Sequence, residues 1–313
     1  MGSRPCGRGR TRTLAVLLLA LAIAMPALAA GARAQEKIVG GEPAGEASFP
    51  FVAALWVTGV DTPWCDGTLI APNRVLLAAT CTYYITTDPN LGNTAIPFVP
   101  ADLTLTFSGD GPDLYALPKY AAKKIIRHPD FDFTTCLNQG LLIYFACHND
   151  AAIIELSSGP QGISPVDLVA SGKDGVGKKG RKLTAVGWSG EYVNFPTSST
   201  LTQATMPVSD QELCGRRYEG LNNIGAYPPV EFDSAGNFCT YKLVVGPCYQ
   251  ELGGPALSKR HHRWLQIGVL NTINDCAQAK WPNIYTRMSE PAMNDWIRAT
   301  AKLPASKAAN GGR

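Results

Sequence analysis

The sequence predicts an all-β fold that ends in one α-helix. Three features support this prediction: recurrent short apolar segments, glycines and prolines between them, and a helical spacing confined to the C-terminal end. The chain has 313 residues, of which 45% are apolar, so it can bury a large core. Either one large β domain or two small domains would fit this length.

Eight short segments carry the strand signal. Each is apolar or alternates between apolar and polar residues, and turn residues separate them, which is typical of a sandwich or a barrel. The predicted strands cover 51–57, 68–70, 74–78, 103–107, 151–156, 183–186, 264–270 and 283–287.

The helix is predicted near residue 295. Met293, Trp296 and Ile297 follow the spacing i, i+3, i+4, which places them on one helical face. The residues after it, 302–313, are rich in alanine, glycine, lysine and asparagine. We predict that this tail is disordered.

Residues 1–34 are predicted to form a secretory signal peptide. Arginines at the start are followed by an apolar run over 14–24 and then by small residues, the arrangement of such signals. The run is shorter than the about 20 residues of a membrane-spanning helix. We therefore expect a secreted mature protein without a membrane segment, extracellular or, in a bacterium, periplasmic; an uncleaved signal anchor is the alternative.

The predicted signal peptide also accounts for the positive charge of the chain. It contains five arginines and no acidic residue, so the formal net charge changes from +3 for the whole chain to −2 without residues 1–34. Domains that bind nucleic acids are usually strongly basic. We expect no nucleic-acid partner.

The cysteines indicate disulfides rather than a metal site. Of nine cysteines, Cys6 lies in the predicted signal peptide, which leaves an even number of eight. In a secreted chain this number favours four disulfides. The eight form no CxxC pair, and the four histidines lack zinc-ligand spacing from them. The sequence therefore predicts no metal and no other cofactor.

Seven short motifs follow one another in an order typical of a known family. They are Lys37-Ile38-Val39-Gly40-Gly41, Cys65-Asp66-Gly67-Thr68-Leu69-Ile70, Leu77-Ala78-Ala79-Thr80-Cys81, Asn149-Asp150-Ala151-Ala152, Gly187-Trp188, Cys248-Tyr249-Gln250-Glu251-Leu252-Gly253-Gly254-Pro255 and Pro282-Asn283-Ile284-Tyr285-Thr286-Arg287. The series resembles the trypsin/chymotrypsin superfamily of serine proteases, and the resemblance covers residues 38–301.

The resemblance implies a more specific fold than the periodicity alone. It implies two packed six-stranded antiparallel β-barrels with a cleft between them and a C-terminal α-helix, and it leaves residues 35–37 as a short propeptide. Three disulfides are implied by matched positions, and two cysteines without a counterpart in the family's common core are left to pair with each other. The pairs are Cys65–Cys81, Cys214–Cys239, Cys248–Cys276 and Cys136–Cys147.

The resemblance also locates the catalytic triad, and two of its positions carry unsuitable side chains. Thr80 replaces the histidine, and threonine is not a base near neutral pH. Leu252 replaces the serine and has no nucleophilic atom. Asp150 matches the aspartate, which we interpret as a structural acid here. Gln250 replaces the glycine whose N–H helps to form the oxyanion hole, and its side chain resists glycine-like backbone angles.

Activation by proteolysis is a second feature of the family that can be compared. Cleavage after Lys37 would free the amine of Ile38. Glu251 stands at the position of the aspartate that pairs with this amine, so the acidic group is kept with one additional methylene. An Ile38–Glu251 ion pair after cleavage is therefore an open prediction.

The predicted substrate pocket differs from that of trypsin. Gly246 stands at the base of the pocket, where trypsin-like enzymes carry an aspartate, so it offers no partner to a lysine or arginine of a substrate. Asn271, Thr272 and Ile273 replace the usual Ser-Trp-Gly wall, and Ile273 would narrow the entrance. We expect no trypsin-like specificity.

Together, these positions predict a catalytically inactive serine protease homolog that binds a protein partner or regulates proteolysis. The alternative is a serine endopeptidase with residual or atypical hydrolysis. A secreted structural or storage protein without a specific partner is a third interpretation.

Two kinds of segment are candidates for binding a partner. The apolar insertion between Cys136 and Cys147 borders the cleft in the family and would bind a protein if exposed; otherwise its side chains pack onto the barrel or over the cleft. The basic segments 178–182 and 259–263 are candidates for a polyanion, or are solvated loops.

Overall fold

A computed structural model describes residues 38–45, 47–88, 92–133, 147–173, 175, 177–188, 198–222, 232–243, 245–248, 250–272 and 282–306. Contacts divide the chain into Met1–Ala34 and Gln35–Arg313. All described residues belong to the second unit, and the predicted signal peptide and propeptide lie outside them.

The fold is mostly β, as predicted. In chain order the elements are β1 (Glu42–Pro43), β2 (Val52–Val57), β3 (Cys65–Ala71), β4 (Arg74–Leu77), β5 (Tyr83–Asp88), β6 (Gly92–Pro97), β7 (Leu103–Phe107), β8 (Tyr120–Arg127), β9 (Ala152–Leu156), β10 (Asp167–Leu168), β11 (Lys182–Gly187), β12 (Thr202–Pro207), α1 (Gln211–Asn222), β13 (Asn237–Thr240), β14 (Pro255–Arg260), β15 (Arg263–Thr272), β16 (Asn283–Arg287) and α2 (Pro291–Ala301).

The first barrel is closed. Its strands follow the order β2-β3-β4-β9-β8-β7, and β7 pairs again with β2. Strands β2, β3 and β4 are buried along their whole length, because their side chains face either the barrel interior or the chain packed outside it. This is why β2 appears in the sequence as a continuous apolar run, whereas β3 and β4 also bury the polar residues Asp66, Thr68 and Arg74.

The second barrel is built from one sheet in the order β12-β11-β14-β15-β16-β13, with β1 added beyond β12. Its two ends meet at a single bridge between Val208 and Thr240, beside a hydrogen bond from Ser209 N to Cys239 O of 2.8 Å. Among the described residues this barrel is therefore less completely closed than predicted, because the chain leaves β12 at Val208 and enters α1.

Helix α1 corrects the prediction that helical structure is confined to the C-terminal end. It is a mostly polar helix in which Cys214 and Tyr218, one turn apart, are fully buried. Cys214 is disulfide-bonded to Cys239 of β13, and Tyr218 Oη donates a hydrogen bond of 2.8 Å to Pro282 O. Two such anchors hold the helix without the apolar stripe that makes a helix recognisable in a sequence.

The C-terminal helix is confirmed. In α2, Met293 and Ile297 are buried, and the Trp296 ring lies 4.8 Å from that of His128. Residues 302–306 of the predicted disordered tail are described, and Ser171 N donates a hydrogen bond of 2.9 Å to Ser306 Oγ. Residues 307–313 lie outside the described part. No described helix is long and apolar enough to span a membrane.

Candidate functional site

The structure brings Thr80 and Asp150 into direct contact. Thr80 lies in the short 3₁₀ helix Ala79–Thr82 after β4, and Asp150 lies just before β9. Asp150 Oδ1 accepts a hydrogen bond from Thr80 N at 2.8 Å, and Asp150 Oδ2 accepts one from Thr80 Oγ1 at 3.0 Å. Thr80 therefore donates to both carboxylate oxygens, one through its backbone N–H and the other through its hydroxyl.

This contact is removed from solvent and is linked to the second barrel. Thr80 is 5% exposed and Asp150 is fully buried. Thr286 Oγ1 of β16 donates a hydrogen bond of 3.1 Å to Asp150 O. Burial raises the pKa of Asp150 to about 7, although hydrogen bonds from Thr80 and from the Ala79 backbone act in the opposite direction.

Leu252 lies beside the same segment. Its carbonyl oxygen accepts a hydrogen bond of 2.8 Å from Asp66 N and lies 3.5 Å from Sγ of Cys81, the residue after Thr80. The Leu252 side chain is half-buried and packs against the core. The positions that the family resemblance assigned to the triad are therefore gathered where the two barrels meet, with a hydrocarbon side chain at the position of the nucleophile.

The backbone at the oxyanion position keeps a glycine-like form. Gln250 has a φ of 75°, in the left-handed region that a residue with a Cβ adopts at a cost of about 1–2 kcal/mol. Gln250 thus adopts angles that its side chain resists, and hydrogen bonds of the neighbouring residues hold the turn. Glu251 N donates to Cys248 O at 3.2 Å, and Glu251 Oε2 accepts from Cys248 N at 2.6 Å.

The predicted N-terminal segment is inserted in the uncut chain. Ile38 is fully buried, and its N–H donates to Thr202 Oγ1 at 3.3 Å. Val39 and Gly246 exchange two backbone hydrogen bonds of 3.1 Å. Lys37 lies outside the described residues, so its cleavage and an Ile38–Glu251 ion pair stay predictions.

The residues predicted to form the pocket have other contacts. Gly246 uses its backbone to pair with Val39. Asn271 is fully buried and donates to Cys147 O at 2.8 Å and to Thr286 Oγ1 at 3.0 Å, while its Oδ1 accepts from Cys147 N at 3.0 Å. It anchors Cys147 rather than offering a free amide to a pocket. Thr272 is buried, and Ile273 lies outside the described residues.

Two of the implied disulfides are present between described residues: Cys65–Cys81 and Cys214–Cys239. The first joins β3 to the short helix that carries Thr80. Cys147 and Cys248 are also disulfide-bonded, and their implied partners, Cys136 and Cys276, lie outside the described residues. The apolar insertion between Cys136 and Cys147 lies outside them as well.

Sequence reasoning missed one buried acid near this site. Asp66, in β3, is fully buried; its Oδ2 accepts a hydrogen bond of 3.2 Å from Trp188 N, and its Oδ1 has no described partner. Burial raises its pKa well above the usual range. A Cβ on Gly187 would overlap Asp66 Oδ2 and would lie 3.0 Å from Glu251 Oε1. The sequence signal that could have revealed Asp66 is a charged residue within a predicted strand whose two faces are both buried.

The described residues include no group of acids, histidines and cysteines suited to a metal ion. The groups that lie where the barrels meet are Thr80, the buried acids Asp150, Asp66 and Glu251, and the backbone around Leu252.

The Thr80 hydroxyl gives a direct test of this geometry. Replacing Thr80 with valine keeps the shape of the side chain but removes a donor to Asp150, and we expect the free energy of unfolding to fall by about 1–3 kcal/mol. Thr68 in β3 supplies the matched control, because its buried hydroxyl has no hydrogen-bond partner in the described structure.

We expect Thr68→Val to leave stability unchanged or to raise it by about 1 kcal/mol. Urea unfolding of both variants and the parent protein measures the difference. An equal effect of the two substitutions would show that the bond from Thr80 to Asp150 does not contribute to stability.

Comparison with known proteins agrees with this architecture. The family model described as Trypsin matches residues 38–297. Mouse tryptase is 29% identical over 85% of this chain and 89% of its own length. The CLIP domain-containing serine protease B10 of Anopheles gambiae is 30% identical over 84% of this chain and 69% of its own length. A venom protease of Bombus pensylvanicus is 26% identical over 80% of this chain and 95% of its own length. With the two-barrel fold and the site at their junction, these matches place the chain in the trypsin family.

Proposed function

We propose that this protein is a secreted, non-catalytic serine protease homolog that acts by binding a protein partner or by regulating proteolysis. The observation that carries the proposal is the pair of hydrogen bonds between Thr80 and Asp150, at 2.8 and 3.0 Å. In this geometry the Thr80 hydroxyl bonds to the carboxylate oxygen that would orient an imidazole in an active member of the family.

The chemistry of the residues supports the loss of activity. A serine protease needs a side chain that takes the proton of the nucleophile and a nucleophile that attacks the carbonyl carbon. Thr80 supplies no base, and Leu252 supplies no nucleophile. Removal of such groups from triads in other enzymes lowers kcat by about 10⁶.

One observation favours residual hydrolysis as the second candidate. Asp150 has a pKa of about 7, the range of an effective general base, and it accepts a hydrogen bond from the Thr80 hydroxyl. Thr80 would then be the nucleophile. Against this candidate, Thr80 is only 5% exposed, so the carbonyl carbon of a substrate has little access to its hydroxyl.

A fluorophosphonate probe tests both candidates, because it reacts with activated hydroxyl nucleophiles. The purified protein is treated before and after cutting at Lys37, beside an active trypsin-family protease and the Thr80→Val variant. We expect no specific labelling of the parent or of the variant. Stoichiometric labelling that heat abolishes would overturn the proposal, and its absence in Thr80→Val would identify Thr80 as the nucleophile.

Binding is tested separately, by adding the protein to an active trypsin-family protease that digests a protein substrate. A partner-binding or regulatory role predicts a saturable change in the rate of cleavage. The apolar insertion between Cys136 and Cys147 is the proposed contact, since Asn271 fixes one of its ends through Cys147. A variant in which a short glycine-serine linker replaces 137–146 should lose the effect if the insertion is that contact.

Secretion is proposed from the signal-like start of the sequence and from the disulfides, which form in oxidising compartments. N-terminal sequencing of the protein recovered from the medium of expressing cells checks it. We expect a chain that begins at Gln35, or at Ile38 if Lys37 is also cut. Recovery of a chain that begins at residue 1 from the cell membranes would identify an uncleaved anchor instead.

A further inference from the structure

The two basic segments of the sequence form one surface. Segment 178–182 is the turn that leads into β11, and segment 259–263 is the hairpin between β14 and β15. We call the basic surface the seven exposed cations Lys178, Lys179, Arg181, Lys182, Lys259, Arg260 and Arg263. The two segments are about 80 residues apart in the chain, so the sequence alone does not show that they are neighbours in the fold.

The strand register brings the segments together. Strands β11 and β14 are antiparallel, with Thr184 opposite Leu257 and Ala185 opposite Ala256. Lys182 and Lys259 each lie two residues beyond this pairing, on neighbouring strands and at the same end of the sheet. Residues opposite each other on paired strands project from the same face, and like charges in this arrangement repel each other. A bound anion would therefore relieve the repulsion between the cations at this end of the sheet.

Most of the positive charge on this surface is not neutralised by the protein. Lys179 pairs with Asp210 at 2.7 Å, and Arg263 pairs with Asp167 at 2.6 Å. The other five cations form no ion pair with a described residue. Residues 35–313 carry a formal net charge of −2, so the charge is segregated on this face, and such a field attracts anions.

The cations of segment 259–263 are held in place by the paired strands β14 and β15 and the tight turn between them. Arg260 lies directly opposite Arg263 in the register, and the turn between them consists of His261 and His262, with φ of 47° and 64°. Two positive φ angles define the tight turns that join paired strands, where glycine and asparagine are usual. The hairpin is also supported by Trp264, whose ring lies 5.0 Å from Phe49 and 5.2 Å from Lys259 Nζ.

A neighbouring cavity is a weaker candidate for an anion. Lys178, Lys179 and Arg287 line a cavity of about 780 Å³, but Asp210 and Glu290 line it too. These acids offset most of the positive charge there, and Asp210 pairs directly with Lys179. The uncompensated charge lies instead at the strand ends, around Lys182, Lys259 and Arg260.

We propose that this basic surface binds a sulfated polysaccharide. The surface spans three neighbouring strands, about 10 Å across, and its charges suit a chain with repeated sulfates better than a single anion. The disulfides indicate an oxidising compartment, which is compatible with an extracellular polysaccharide as the ligand. Among its described residues the surface has no row of exposed aromatic side chains on which the bases of a single-stranded nucleic acid would stack.

Equilibrium binding to fluorescent heparin over a range of salt concentrations tests the proposal. The test variant combines Lys182→Glu and Lys259→Glu, and the control combines Lys124→Glu and Arg216→Glu, which are exposed cations elsewhere with the same change in charge. We expect the test variant to bind about tenfold more weakly or worse, and the slope of log K against log salt to decrease by about 2. The control should retain most of the affinity.

Desulfated heparin and double-stranded DNA are the competing ligands, and thermal unfolding verifies that each variant is folded. The milder pair Lys182→Gln and Lys259→Gln replaces the test variant if that one unfolds. The absence of saturable heparin binding at about 0.15 M salt, equal losses in test and control, or equal affinity for DNA or desulfated heparin would each overturn the proposal. None of these outcomes bears on the fluorophosphonate test.

Discussion

Replacement of Asp150 by asparagine is expected to remove a large pH dependence of stability. The pKa of Asp150 is about 7 in the folded protein, against a usual value of 3.8. A carboxyl group with a raised pKa holds its proton more tightly in the folded state, so its contribution is favourable below pH 3.8 and is lost progressively as the pH rises to about 7. At 1.36 kcal/mol for each pH unit, the loss is about 4 kcal/mol.

The difference in free energy of unfolding between Asp150→Asn and the parent should therefore grow in favour of the variant from about pH 4 to about pH 7 and then remain constant. Asparagine retains an acceptor for Thr80 N and can donate to Thr80 Oγ1. Asp66 is present in both proteins, so its own titration cancels.

Urea unfolding at a series of pH values measures this difference, with Asp61→Asn as the control because Asp61 is exposed. A difference that does not change with pH would show that Asp150 titrates normally in the folded protein.

Replacement of Gly253 by alanine is expected to destabilise the junction of the barrels by about 3 kcal/mol. Gly253 has a φ of 81°, and a Cβ there would lie 2.5 Å from Asp66 O and 3.1 Å from Cys81 Sγ. The backbone oxygen cannot move without disturbing β3. The substitution therefore combines an unfavourable backbone conformation with a steric overlap.

Gly172 separates these two contributions. Its φ is 65°, but a Cβ at this position would meet no atom within 4 Å. We expect Gly172→Ala to cost only about 1 kcal/mol, the backbone contribution alone. Thermal unfolding of both variants provides the comparison, and equal losses would mean that the close approach of Asp66 and Cys81 to Gly253 is relieved at no cost.

Strands were predictable from the sequence where a short apolar run is bounded by turn residues on both sides. The predicted strands 103–107 and 283–287 coincide with β7 and β16, because short apolar runs bounded by turn residues have few alternatives. The hairpin of β5 and β6 and the helix α1 were missed. Their sequences are largely polar, and pairing or a disulfide holds them rather than an apolar face.

The sequence predicted which residues occupy the candidate site, but it did not predict the contacts that these residues make with one another. Motif order identified Thr80, Asp150 and Leu252 from the sequence. The bonds from Thr80 to Asp150 depend on the close approach of segments 70 residues apart, and the buried acid Asp66 depends on how β3 packs against Trp188. Local sequence carries no information on such distances, so the raised pKa values of both acids followed only from the fold.

The insertion of Ile38 has a consequence for what cleavage after Lys37 would change. Ile38 and Val39 already occupy the second barrel in the continuous chain, through Thr202 and Gly246. Cleavage after Lys37 would therefore not have to move these two residues into the barrel, and at Ile38 and Val39 it would only create a new amine in a segment that is already seated.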